Sequence, residues 1–248
     1  MKDNCNTYLG KAYRFLSFDG LFNTIGNKSL RFTRVDKVND PLDCSPLIAP
    51  LNWDEYSIHG GELFPKFVCD YVSKRVFKSL FICCFCKEYQ SDDSFLMWSH
   101  YGQSHSQVCF EIDFLQNRYL GGPSEVEYPD SLIDKRNDSF NFDKGQLGLY
   151  LITNKLKQWS YEKEVRLIVD TKNPNIDNER FKFNSNSEYL YVDFDLNYIS
   201  KVIFGAKSTL TNELKTRSLF TDNGYNPIYE KMYIDPKTLM IKSKPYDL

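Results

Sequence analysis

Strand-like and helix-like segments follow one another irregularly along this chain, and no stretch keeps the strand–helix–strand rhythm of a doubly wound parallel sheet. That irregular order predicts an α+β fold, with mixed or antiparallel sheets and flanking helices. Tyr8 to Ser17 reads as a strand ending in a turn at Asp19-Gly20, with a short helix over Leu21 to Ile25. Ser29 to Thr33 alternates as a second strand, and Asn39-Asp-Pro41 marks a turn, because proline pushes the residue before it out of the helical region. Leu63, Phe67, Tyr71, Val72, Val76 and Leu80 recur at close to helical spacing and predict a helix over Glu62 to Leu80. Leu80 to Cys86 is a continuous run of strand formers, as a buried strand requires. Further helices are predicted at Phe95 to Tyr101, Phe140 to Trp159 and Thr209 to Thr221. Further strands are predicted at Gln107 to Phe114, Glu164 to Asp170, Glu188 to Asp193 and Ile199 to Phe204, and one or two more between Pro227 and Lys242.

No segment of the 248 residues reads as a linker, so a single domain over 1–248 is expected. Hydrophobic residues make up 42% and charged residues 26%, which argues against wholesale disorder. A net charge of −2 gives no whole-molecule attraction to nucleic acid or to an anionic membrane, although local basic runs could still meet phosphates. The first residues lack an apolar signal-like stretch, and no window supplies the roughly 20 apolar residues of a membrane span. The expectation is a cytoplasmic protein without membrane contact, whose seven cysteines are reduced thiols.

Cys83-x2-Cys86 followed by His100-x4-His105 matches the spacing of a two-Cys, two-His zinc site. Phe81 to Cys86 contains no turn residue, however, and on a strand positions three apart face opposite ways. No metal is expected.

Three polar constellations stand in apolar surroundings. Arg14 lies in the strand-like Ala12-Tyr-Arg-Phe15, where its guanidinium fork suits a phosphate or a carboxamide. Trp98 and Tyr101, three apart, share a helix face and could form a wall for a flat ring. In Trp159-Ser-Tyr-Glu-Lys-Glu-Val-Arg166, an extended backbone would put Glu162, Glu164 and Arg166 on one face. Carboxylates so placed repel unless compensated, and could divide between charge stabilisation and handling of a nucleophile. The bland alternatives are an edge arginine, core aromatics and a surface Glu–Arg ladder. No phosphate-binding glycine loop or Gly-x-Ser-x-Gly elbow occurs.

Taken together, Tyr13-Arg14, Leu30-Arg-Phe-Thr33, Asn39-Asp-Pro41, Met97-Trp-x-His-Tyr101 with Val108-Cys-Phe-Glu-Ile112, and Trp159-x-Tyr-Glu-x-Glu-x-Arg166 resemble a bacterial family, domain of unknown function 2971. The motif order also resembles that of ADP-ribosyltransferases, whose arginine class ends in Glu-x-Glu, here Glu162-Lys-Glu164. The Ser-Thr-Ser stretch of that class is absent, and Cys84-Phe-Cys86 stands where it would fall. The resemblance implies an ADP-ribosyltransferase-like fold using NAD as co-substrate. Arg14, with Tyr13 beside it, would hold the phosphates or the nicotinamide end. Trp98 or Tyr101 would flank the nicotinamide, Glu164 would contact the ribose, and Glu162 would position the acceptor. It further implies a macromolecular acceptor, RNA, DNA or protein, and a toxin of a toxin–antitoxin or antiviral system with an antitoxin partner. Lys155, Lys157, Lys163 and Arg166 could then meet a phosphate backbone. A non-catalytic nucleotide-sensing or interaction domain and an NAD glycohydrolase are the alternatives.

Overall fold

The computed structural model describes residues 7–49, 77–91, 94–116, 122–132, 144–173, 181–182 and 188–247. These residues build eleven strands into one mixed sheet flanked by a few helices. The first strands are β1 (Lys11–Leu16), β2 (Ser29–Arg34), β3 (Leu80–Cys86), β4 (Val108–Asp113), β5 (Ser124–Glu125) and β6 (Glu164–Asp170). They are followed by β7 (Phe181–Lys182), β8 (Tyr189–Asp193), β9 (Ile199–Phe204), β10 (Ile228–Ile234) and β11 (Ile241–Pro245). Every named pair is antiparallel except β9 with β10, which run parallel. A parallel pair needs a crossover, and the helix between these two strands supplies it.

The helices are α1 (Phe18–Asn27), α2 (Ser94–His100), α3 (Lys144–Thr153) and α4 (Leu210–Asp222). Asp19-Gly20, expected as a turn, lies inside α1, because the Ser17 hydroxyl accepts from the Gly20 N–H and caps the helix one turn earlier. Phe18, Leu21 and Ile25 then share one face and enter the core beneath β2 and β3, with Phe220 of α4 beside them. On the opposite face of the sheet, α3 buries Leu147, Leu151 and Ile152 against Leu80 and Ile82, while α2 buries Met97 and Trp98 against Tyr13 and Cys86. The helix predicted over Glu62 to Leu80 lies outside the described residues up to 76; beyond them, Phe77–Ser79 is a 3-10 turn and Leu80 already belongs to β3. Of the long helix expected from Phe140 to Trp159, the described part stops at Thr153 and is followed by a separate 3-10 segment, Lys157–Glu162. Among the described residues, no helix is long and apolar enough to cross a membrane.

The sheet forks at β3. A strand has two edges, and β6 occupies one of them along the whole of Leu80 to Cys86. The other edge is shared: β1 pairs with it only at Tyr13↔Cys86, and β2 only at Thr33↔Ile82 and Arg34↔Phe81. β1 and β2 therefore splay apart over the middle of β3. That explains why Phe-Ile-Cys-Cys-Phe is apolar without alternation: the strand is covered on both faces.

Candidate functional site

The splay opens a cleft of about 370 Å³, with Ile82 to Cys86 at its floor. Tyr13, Arg14 and Phe15 line it on one side and Arg31 and Thr33 on the other. Arg14 shares the sheet face of Ala12, and its guanidinium lies 5.8 Å from the centre of the Phe85 ring on that face. It closes the fork by donating from Nη2 to the Arg31 carbonyl at 2.7 Å. Its second amino group, Nη1, is buried and meets no acceptor among the described residues. An orphaned donor on a permanently charged group fits an anionic ligand.

On the opposite sheet face the cleft ends in a buried ionic cluster of Asp43, Lys155, Glu162, Glu164 and Arg166. The expected strand ladder of Glu162, Glu164 and Arg166 does not form. Glu162 ends the 3-10 segment, Lys163 turns left-handed at φ 43°, and the strand begins only at Glu164. Glu162 and Glu164 converge all the same, through the Lys155 ammonium, which donates to Glu162 at 2.6 Å and to Glu164 at 3.3 Å. Arg166, fully buried, grips Glu164 with Nε and Nη2, both at 2.8 Å. Its remaining donors go to Asp43, to the Ile152 carbonyl and to the Cys44 sulfur.

The two glutamates are thereby driven apart. Burial alone would raise Glu164, but Arg166 and then Lys155 outweigh it and hold the carboxyl down at about 2. Glu162 has only Lys155 and the Tyr101 hydroxyl against burial and the Glu164 charge, and is pushed up to about 7. Two adjacent carboxyls with separated affinities for protons are the arrangement from which acid–base roles are made. Burial raises the Tyr101 phenol, and the Glu162 charge adds to this, so the phenol stays a donor. Tyr101 reaches Glu162 because α2 stops just before it in a tight turn. A side chain at Gly102 would strike the Trp98 carbonyl at 2.6 Å, and Gln103, Ser104 and His105 all take left-handed backbone.

Cys84 opens onto the cleft floor, where it feels the Glu164 charge. Crowding by protein atoms and the Glu164 charge push its thiol well above the usual range, which makes it a poor nucleophile.

The expected site residues thus separate. Arg14, Tyr101, Glu162 and Glu164 line one cleft although they stand up to 150 positions apart in the sequence. Tyr13 borders it, but its hydroxyl is held by Glu111 at 2.8 Å. Trp98 does not flank a ligand: it is fully buried, edge-on to Phe15, with its indole N–H on the Tyr89 carbonyl. Lys155 and Arg166 are not phosphate contacts, being sealed among carboxylates, while Lys157 and Lys163 pair with Asp130 and Glu88. The zinc-like spacing disperses too. Cys83 and Cys86 enter different cores, His100 meets the Tyr161 hydroxyl and His105 meets Ser99. Asp43 is the site residue that sequence reasoning missed; its signal was an acid between Leu42 and Cys44 just after the Asn-Asp-Pro turn. No family model, curated protein or solved structure matches this chain, so its site is read from its own residues.

Proposed function

We propose that the chain is an NAD-consuming ADP-ribosyltransferase of a toxin or defence type, working in the cleft at the β-sheet fork. The observation that carries this reading is a single cleft with an unsatisfied guanidinium, Arg14, at one end and a carboxyl pair of divided acidity at the other. The motif resemblance supports it. Arg14 would hold the phosphates of the dinucleotide. The bond between nicotinamide and ribose breaks, nicotinamide leaves with the bonding pair, and positive charge develops on the ribose. A fixed carboxylate facing that charge binds the transition state better than the ground state.

The roles of the two glutamates are exchanged relative to the resemblance. Glu164 takes three donors from two cations, Arg166 and Lys155, and is held ionised at about 2, so it acts as a positioning residue. Glu162 keeps a carboxyl near neutral pKa on the cleft, and is the group that faces the ribose and takes the acceptor's proton as the new bond to the ribose forms.

The test is nicotinamide release from NAD by the purified chain, with Glu162→Gln, Glu162→Asp and Arg14→Ala beside wild type. Release by wild type and its loss in Glu162→Gln are expected; no release and no calorimetric binding of NAD would sink the reading. One observation favours a second reading, a nucleotide-sensing domain: the closed network around Glu164 is also what a purely structural anchor requires. NAD binding without turnover would select it.

A further inference from the structure

The sheet face on which the carboxylate cluster lies continues past the cleft onto β2 and β8. Antiparallel register places Arg31 opposite Tyr191 and Thr33 opposite Tyr189, and the next strand adds Lys182 opposite Tyr191. Alternation sends Leu30, Phe32, Leu190 and Val192 into the core, and leaves Arg31, Tyr189 and Tyr191 on the open face. Both tyrosines are 37% exposed, so solvent reaches two neighbouring side chains of one strand. Two residues apart on a strand, they stand roughly 7 Å from each other, which lets consecutive bases stack one on each. Arg31 lies over the Tyr189 ring at 4.8 Å.

The charge on this face is selective. Lys182 is paired with Asp193 and Lys37 with Glu188. Among the described residues, neither Arg14 nor Arg31 has a carboxylate partner. The uncompensated positive charge therefore sits at the junction of the cleft and the tyrosine face, although the whole chain is slightly acidic. Thr33, Arg31 and Tyr189 belong to both surfaces, so the face runs into the cleft without a break.

We infer that the β2–β8 face is a binding track for single-stranded nucleic acid, with Tyr189 and Tyr191 as base-stacking platforms and Arg31 as the phosphate contact, and that it delivers a nucleotide to the Glu162 end of the cleft. Stacking platforms beside cations bind single strands with little regard to sequence, whereas a duplex keeps its base faces covered. The inference names the acceptor class of the transferase and rests on that reading for its chemistry, but not for its binding step.

The experiment is fluorescence anisotropy of the full chain with short mixed-sequence DNA and RNA oligonucleotides, single-stranded and duplex, without NAD and over a salt series. Single strands should bind more tightly than duplex. Tyr191→Ala should weaken them by at least about fivefold, with an unchanged melting temperature, and Tyr191→Phe should restore them. Arg31→Ala should reduce the salt slope by roughly one. Equal binding of duplex, wild-type affinity in both Tyr191→Ala and Tyr189→Ala, or no binding at all overturns the inference. Label from NAD reaching protein while oligonucleotides fail to bind overturns it as well and leaves the transferase standing. Oligonucleotide binding without nicotinamide release supports the track and sinks the transferase alone.

Discussion

Replacing Glu164 by glutamine removes one charge and turns one acceptor into a donor in a place where nothing can move. The two oxygens of Glu164 receive Arg166 Nε on one side, and Arg166 Nη2 with Lys155 Nζ on the other. Whichever way the amide is turned, its NH2 group faces at least one N–H of Arg166, a donor against a donor. Arg166 has no exposed surface and would keep Asp43 as its one remaining anion. Breaking one side of a buried ion pair costs about 3–5 kcal/mol, because the charge left behind is uncompensated. In a chain of this size each kcal/mol lowers the melting midpoint by about 2–4 °C, so a fall of roughly 6–20 °C follows. In a surface Glu–Arg ladder the same swap would be mild, because solvent would take up the freed charge. Glu162→Gln is the internal comparison: it lacks an arginine clamp, sits near its own neutralisation point, and relieves repulsion from Glu164. Thermal denaturation followed by far-UV circular dichroism at pH 8 measures both. A Glu164→Gln midpoint within about 2 °C of wild type, or equal shifts in the two variants, would refute the division of roles, since about 1 kcal/mol is the loss of an ordinary hydrogen bond.

The pH dependence of stability follows from the same pair. Glu162 titrates near 7 when folded against 4.5 ordinarily, so the stability its bound proton contributes is complete below about pH 4.5 and lost as pH rises through 7. Glu164, held near 2, works in the opposite sense: its contribution is complete above about pH 4.5 and is lost as pH falls from there through 2. Between about pH 5 and 8 the midpoint should therefore decline with pH more steeply in wild type than in Glu162→Gln; parallel curves would contradict the assignment. Trp98→Ala should cost about 3–5 kcal/mol in urea denaturation, as a buried aromatic deletion does, because the indole is core and not ligand wall. Induced expression of wild type should slow colony formation, and Arg14→Ala, at matched protein level, should relieve it by removing a guanidinium whose Nη1 has no acceptor among the described residues. Unimpaired growth at high wild-type expression would speak for the sensing domain.

Local order was legible wherever a single element explains its own residues. Leu80 to Cys86 reads as a buried strand because both faces must be apolar, and it is one. Val108 to Asp113 and Ile199 to Phe204 fall within a residue or two of expectation. Boundaries failed where one side chain decided them, as Ser17 does by capping α1 and Lys163 does by breaking the extended run between the glutamates.

By itself the sequence determined an irregular α+β order, the strand bearing Arg14 and the polar motifs that had to be explained. The tertiary structure alone decided which of them share a place. That β1 and β2 compete for one edge of β3 is a matter of hydrogen-bond pairing between segments about 50 residues or more apart, and no periodicity records it. The fork makes the cleft, brings Arg14 to the same space as Glu162, and leaves Trp98 behind in the core. It is also the fold that assigns Arg166 and Lys155 to the carboxylates. Burial makes a lone charge so costly that each glutamate must be answered by a cation, and only the packed chain shows that Glu164 is answered twice and Glu162 once.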